Sequence, residues 1–219
     1  MLRKIYEKRL QNTVMKPGRA IPEHVALVLA ETDILSRNGV SKLRDFVNWS
    51  SKLGVTEIST YIDVLDIEPQ LQEEMAGKLA ETLRQMFAGM SLKTEYAIYN
   101  DKGTLVAKNG NEKPLINILV GFGGKRELTH AVRAILKKVE VGELQPDEIT
   151  EKSIEDNLTI RTEPDLIIRA GGKHLSDFLI WQSVYAELFF TDVNWESLRK
   201  IDLLRIMRDF QNRQRRYGK

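Results

Sequence analysis

Short apolar runs alternate along this chain with longer segments of helical period, and that alternation constrains the fold more than any other feature. The runs lie at residues 24–29, 57–62, 95–99, 115–120, 165–169 and 187–191. Helical periods fall at 2–14, 40–53, 68–90, 125–139, 174–181 and 201–216. Strands that alternate with helices predict an α/β fold around a largely parallel central sheet flanked by helices. The stretch 100–113, with its Asp-Lys-Gly and Asn-Gly-Asn turns, reads as a hairpin or a solvated excursion. Ligands of open α/β sheets collect beyond the carboxyl ends of the strands. That rule places Ala30, Asp63, Gly121 and Arg169 on one rim, and directs the search for chemistry there.

With 219 residues and no repeat or low-complexity linker, the chain reads as one domain, 1–219, large enough to bury a substantial core. Basic residues number 33 and acidic residues 31, for a net charge of +2, so no general attraction to nucleic acid is expected and any anion affinity must be local. The absence of cysteine excludes disulfides and thiolate chemistry and fits a cytoplasmic setting. No apolar run approaches the ~18–20 residues of a membrane span, and the first residues do not read as a signal-peptide pattern. A membrane-soluble product would have to be handled from the bilayer surface or by a partner.

Residues 164–195 read PDLIIRAGGKHLSDFLIWQSVYAELFFTDVNW. An apolar strand ends in Arg169, Ala170-Gly171-Gly172 turn the chain, and Ser176 and Asp177 stand at the start of the next helical segment. A guanidinium at a strand end, a glycine pair and a hydroxyl suit a phosphate or diphosphate. The run resembles the C-terminal signature of the cis-prenyltransferases, the undecaprenyl and dehydrodolichyl diphosphate synthases. The likeness is ungapped over Phe178-Leu179-Ile180-Trp181-Gln182 and over Ala186 to Val193. It implies condensation of isopentenyl diphosphate onto an allylic diphosphate, with Mg²⁺ offsetting the accumulating charge.

By this resemblance Arg169 and Ser176 hold the diphosphate of isopentenyl diphosphate, and Glu187 is a metal ligand. A second Arg expected between Arg169 and Ser176 is absent, and Lys173 with His174 stands there; Lys173 can neutralise phosphate only as a point charge. Arg169 paired with a carboxylate such as Asp177, and Glu187 capping a backbone group, is an equally good reading. Gly121-Phe122-Gly123-Gly124-Lys125 matches the family's Asn-Tyr-Gly-Gly-Arg, with Gly123 and Gly124 as substrate contacts, although a strand-to-helix turn needs glycine for geometry alone. His24 and His130 read as packing or surface residues.

Two other motifs depart from the family. After Pro22-Glu23-His24-Val25-Ala26, active members carry Asp-Gly-Asn-Gly-Arg-Trp, whereas this chain reads Ala30-Glu31-Thr32-Asp33-Ile34-Leu35. The metal-binding Asp is replaced by Ala30 and the glycines by Glu31 and Asp33. A carboxylate ~4 Å from a diphosphate charge costs ~1 kcal/mol in water and ~4 kcal/mol at a partly buried surface. The segment 30–53 is also shorter than in active members. The Phe-Ser-x-Glu-Asn-Trp motif is replaced by Ile62-Asp63-Val64-Leu65-Asp66-Ile67.

The last residues, Arg213-Gln214-Arg215-Arg216-Tyr217-Gly218-Lys219, match the Arg-x-Gly ending that relatives pass across a dimer interface into a neighbour's site. A basic helix end favoured by the helix dipole explains the arginines but not the glycine. The chain thus resembles the Nogo-B receptor type accessory subunits of dehydrodolichyl diphosphate synthases. That resemblance implies a heterodimer in which a catalytic cis-prenyltransferase subunit binds Mg²⁺ and the isopentenyl and allylic diphosphates. Arg216 and Gly218 of this chain would complete the partner's site, the product would be a long polyprenyl diphosphate serving as glycosyl carrier lipid, and the membrane surface would be within reach. The alternative is an active, non-standard prenyltransferase or terpene synthase on the same fold, with Asp33, Asp63 or Asp66 recruited for Mg²⁺. A third reading is an isoprenoid-binding protein using the stripe Leu71, Met75, Leu79, Leu83, Met86 and Met90 as an apolar wall.

Overall fold

A computed structural model describes residues 2–65, 68–89, 94–171 and 177–213. The elements in chain order are α1 (Leu2–Val14), β1 (His24–Ala30), α2 (Glu31–Leu35), α3 (Gly39–Leu53), β2 (Glu57–Asp63), α4 (Pro69–Ala88) and β3 (Thr94–Tyr99). There follow β4 (Leu105–Asn109), β5 (Glu112–Val120), α5 (Gly124–Glu140), α6 (Glu151–Glu155), β6 (Leu166–Ala170), β7 (Glu187–Thr191) and α7 (Lys200–Asn212). The strands form one seven-stranded sheet in the order β4-β3-β5-β2-β1-β6-β7. Every pairing is parallel except β3 with β4.

β1 and β2 lie at the centre and are buried almost throughout, as parallel strands covered on both faces must be. Alternate residues divide between two cores. Val25, Leu27 and Leu29 pack with Ile58, Ile62, Leu166 and Ile168 against apolar side chains of α1, α3, α4 and α7. Ala26, Val28, Tyr61, Leu119 and Ile167 face the other way, onto Phe122, Ile160, Phe178 and Leu179. The second core is much the smaller, so that side of the sheet carries the thinner cover.

The α/β class and the parallel sheet are as the alternation predicts, and 100–113 resolves into the β3–β4 hairpin with the turn at Asn100–Thr104. α2 and α6, five residues each, carry too short a period to be read in advance. The helix expected at 174–181 is a correction. Residues 174–176 lie outside the described residues, and 177–185 run through bends and turns instead. The Asp177 carbonyl accepts Gly124 N–H at 2.9 Å, and Leu179 takes a positive φ of 52°, which an α-helix cannot contain. On α4, Ala76, Leu79, Ala80, Leu83 and Phe87 are buried in the main core, so the stripe read there is packing; Leu71 is exposed and Met90 lies outside the described residues.

Candidate functional site

β2 lies on one side of β1 and β6 on the other, so the chain reverses direction across the sheet at β1. The crevice beyond the carboxyl ends of β1 and β6 is therefore the topological switch point, where open α/β sheets take ligands. Val28 is level with Arg169 and Ala30 with Asp63, so these strand ends meet on one rim.

Arg169 Nε and Nη1 are shielded from solvent and have no hydrogen-bond partner among the described residues. Two guanidinium donors held without a hydrogen bond, with the Asp33 charge the one counter-charge felt among the described residues, favour entry of an anion able to accept two parallel hydrogen bonds. The alternative pairing with Asp177 does not occur. Gly171 turns the chain at the end of β6 with φ 67°. Lys173, His174 and Ser176, expected beside it, lie outside the described residues.

The β1 loop is built from its own carboxylates. Asp33 reaches back to accept Ala30 N–H at 2.8 Å. Burial pushes the Asp33 carboxyl above the usual range, the Ala30 N–H bond and the Arg169 charge draw it down, and Glu196 adds to the rise. Glu31 is buried, and its Oε2 accepts Leu65 N–H at 3.0 Å, tying α2 to the loop after β2. The Ser36 hydroxyl donates to the Asp33 carbonyl at 2.7 Å. A Cβ on Gly39 would stand 1.9 Å from that carbonyl, so α3 starts hard against α2 and only glycine fits. The pinned loop directs the Ala30 amide inward to Asp33, not outward to a ligand. An acid reaching back over three residues is a recognisable helix-start pattern, and it is the signal by which Asp33 could have been read as a cap.

Gly123 and Gly124 lie against Asp177: a Cβ on Gly124 would approach the Asp177 carbonyl to 2.1 Å, and one on Gly123 its carboxylate to 2.5 Å. Lys125 N–H donates to Asp177 Oδ2 at 3.2 Å, so the amides that open α5 already face an acid. Phe178 stacks on Tyr61 with ring centroids 5.1 Å apart, and the Tyr61 hydroxyl lies 3.4 Å from Asp63. Burial first, then the Asp63 and Asp177 charges, push the Tyr61 phenol far above its ordinary range.

Behind this surface, buried Glu127 accepts Thr159 N–H and Ile160 N–H at 2.9 and 3.0 Å and the Gln182 amide at 3.2 Å. It locks α5 to the 158–160 loop and to the 177–185 segment, a role no local pattern announces. His24 is buried at the opposite, amino end of the sheet, with Nε2 2.8 Å from Ser59 Oγ, and His130 is an exposed residue set edge-on to Phe122.

Glu187 is not brought to Arg169 within the chain. It opens β7 level with Leu166, about 13 Å along the strand from the rim at ~3.3 Å per residue. There Arg213 donates to it at 2.5 Å while stacking 3.9 Å over Phe189. Arg216 and Gly218 lie outside the described residues. Among the described residues no three His, Asp or Glu side chains converge as a metal site. Asp33, Glu31, Asp177 and Glu187 are each bonded to a donor of this chain, so these four do not fit Mg²⁺, and Asp63 alone is left on the rim.

The fold is thus an α/β sheet, parallel but for its β3–β4 hairpin, with a half-buried guanidinium whose Nε and Nη1 carry no hydrogen bond at the switch point. The model of the family described as "Putative undecaprenyl diphosphate synthase" matches residues 65–218, starting beyond β1, α2, α3 and β2. The chain is 32% identical over 251 aligned positions to the tritrans,polycis-undecaprenyl-diphosphate synthase (geranylgeranyl-diphosphate specific) of Methanocaldococcus jannaschii, covering 99% of this chain and 89% of that protein. It is 29% identical to the short-chain Z-isoprenyl diphosphate synthase of Mycobacterium leprae, covering 98% and 95%. Its fold is that of lavandulyl diphosphate synthase from Lavandula x intermedia, with a TM-score of 0.73, 22% identity and coverage of 91% and 99%. The chain belongs to the cis-prenyltransferase family, the undecaprenyl diphosphate synthases and their relatives. The archaeal alignment spans more positions than the chain's 219 residues, so that relative carries segments this chain lacks.

Proposed function

We propose that this chain is the accessory subunit of a heteromeric cis-prenyltransferase that makes a long polyprenyl diphosphate. The observation that carries the reading is the end of β1, where Ala30 offers no carboxylate and its amide is held by Asp33. A loop so arranged neither binds Mg²⁺ nor presents amides to an allylic diphosphate, so ionisation of the allylic substrate falls to a partner with an intact Asp loop. In the complex Arg216 supplies a fixed positive charge to the partner's substrate phosphates, and Gly218 lets the backbone approach them. β7 supports a partnered state: it closes one side of the sheet, and Val184, Tyr185, Leu188 and Phe190 on and before it are exposed. Arg169 gives this chain a residual diphosphate affinity of its own.

One observation favours a second reading, an active enzyme with displaced acids. Asp63, on the rim beside Ala30, has only the long Tyr61 contact among the described residues, which leaves its carboxylate free to take a metal ion. Incorporation of isopentenyl diphosphate with Mg²⁺, primed with farnesyl or geranylgeranyl diphosphate, separates the two. The accessory reading expects little turnover from the chain alone and strong turnover when it is co-purified with an Asp-loop homologue from the same source. Robust turnover alone, abolished by Asp63→Asn and indifferent to loss of the tail, would establish the second reading instead.

A further inference from the structure

α5 holds to the sheet by a narrow strip, Gly124, Glu127, Ala131 and Ile135, and turns most of its circumference outward. The outward surface is divided lengthwise. Leu128, Val132, Leu136 and Val139 follow one another at helical spacing on one flank, with Val132 46% and Leu136 56% exposed. Arg126, His130, Arg133 and Lys137 follow at the same spacing on the other flank. Arg133 and Lys137 have no ion pair among the described residues. Near the start of the helix, Lys102, Lys125, Arg126, His130 and Arg133 line a cavity of about 380 Å³ in which Asp101 is the one acid.

An apolar flank beside a cationic flank, on a helix that exposes both, is the pattern of a helix lying in a membrane interface. Charge complementarity selects among apolar partners. A neutral surface would leave the cations unmatched, whereas an anionic bilayer matches them. We propose that α5 is the face by which this protein docks on an anionic lipid bilayer, with Arg133 and Lys137 against the headgroups and Val132 and Leu136 in the acyl boundary. Among the described residues no helix is long and apolar enough to cross a membrane, so the contact is peripheral. Arg133, Lys137, Val132 and Leu136 lie along α5 beyond its first turn, which adjoins the rim at Gly121, and the contact requires no turnover by this chain.

The test is co-sedimentation of the purified chain with vesicles of phosphatidylcholine alone or with about 30% phosphatidylglycerol. Binding is expected to the anionic vesicles only, and to be lost in 0.5 M NaCl, where the screening length falls to a few Å. Arg133→Glu with Lys137→Glu should weaken it at least tenfold. Lys16→Glu with Lys52→Glu, which brings the same net charge of −2 on exposed residues elsewhere, should change it less than twofold. Leu136→Ser, which leaves the charge alone, should also weaken binding, and circular dichroism checks that each variant is folded. Equal binding to neutral vesicles, or equal loss in both charge-reversed variants, would overturn the proposal.

Discussion

At the end of β1 a carboxylate takes the amide that an incoming phosphate would need: Asp33 accepts Ala30 N–H, and its charge acts on Arg169. Replacing Asp33 with Asn keeps an acceptor and removes the charge. A unit charge at ~6 Å and an effective dielectric of ~40 contributes ~1.4 kcal/mol, so Asp33→Asn should raise affinity for inorganic pyrophosphate about tenfold at pH 7, and Arg169→Ala should remove it. Titration calorimetry on both variants checks this, and unchanged affinity in Asp33→Asn would mean that its carboxylate does not oppose the anion. Glu127 is the second residue with a measurable consequence. Burial raises its carboxyl above the ordinary range, against the pull of the Ile160, Gln182 and Thr159 donors. The folded state therefore holds that proton more tightly than the unfolded chain does. Its contribution to stability is full below the unfolded value of about 4.5 and is lost as pH rises through the folded value. Urea unfolding should show wild type gaining on Glu127→Gln as pH falls from 7 to 5. Glu127→Ala should cost about 2–4 kcal/mol by orphaning buried donors.

At the scale of elements, the start of α5 and the 177–185 segment are one unit, joined by Gly124 N–H to Asp177 and by Glu127 to Gln182. Gly124→Ala drives a methyl group against the Asp177 carbonyl and should lower stability by about 1–3 kcal/mol. Gly77, inside α4 with nothing within 4 Å of its Cβ position, should respond in the opposite sense. Gly77→Ala is expected to stabilise by about 0.5–1 kcal/mol, and thermal melts of the two variants test the contrast. This unit also marks where the sequence misleads. Phe178 to Gln182 is apolar enough to read as helix, yet its bonds run to α5 and its φ values are set by that packing, which is tertiary information. The central strands were legible because β1 and β2 are buried on both faces, so their apolar runs are uninterrupted. The sequence showed what the β1 loop had lost, Asp and two glycines, but not what Glu31 and Asp33 do instead, because each bonds a backbone amide.

At the scale of the molecule, the rim carries half of the expected site: a guanidinium at the end of β6, Asp63 as the one acid beside it without a close donor among the described residues, and Glu187 at the far end of β7 bonded to Arg213. On the proposed accessory reading such a chain would act through what it presents to others, with the β7 edge and the basic residues 213–219 as the means. Family membership was legible from 164–195 because that run forms β6, the turn and β7, which fix the switch point. The accessory role stands or falls on turnover of the co-purified heteromer carrying Arg216→Ala in this chain alone. The complex should stay intact while its isopentenyl diphosphate incorporation falls at least ~100-fold, the cost of removing one oriented charge from a transition-state site. An intact complex with undiminished incorporation would leave the tail without a catalytic part and refute that role.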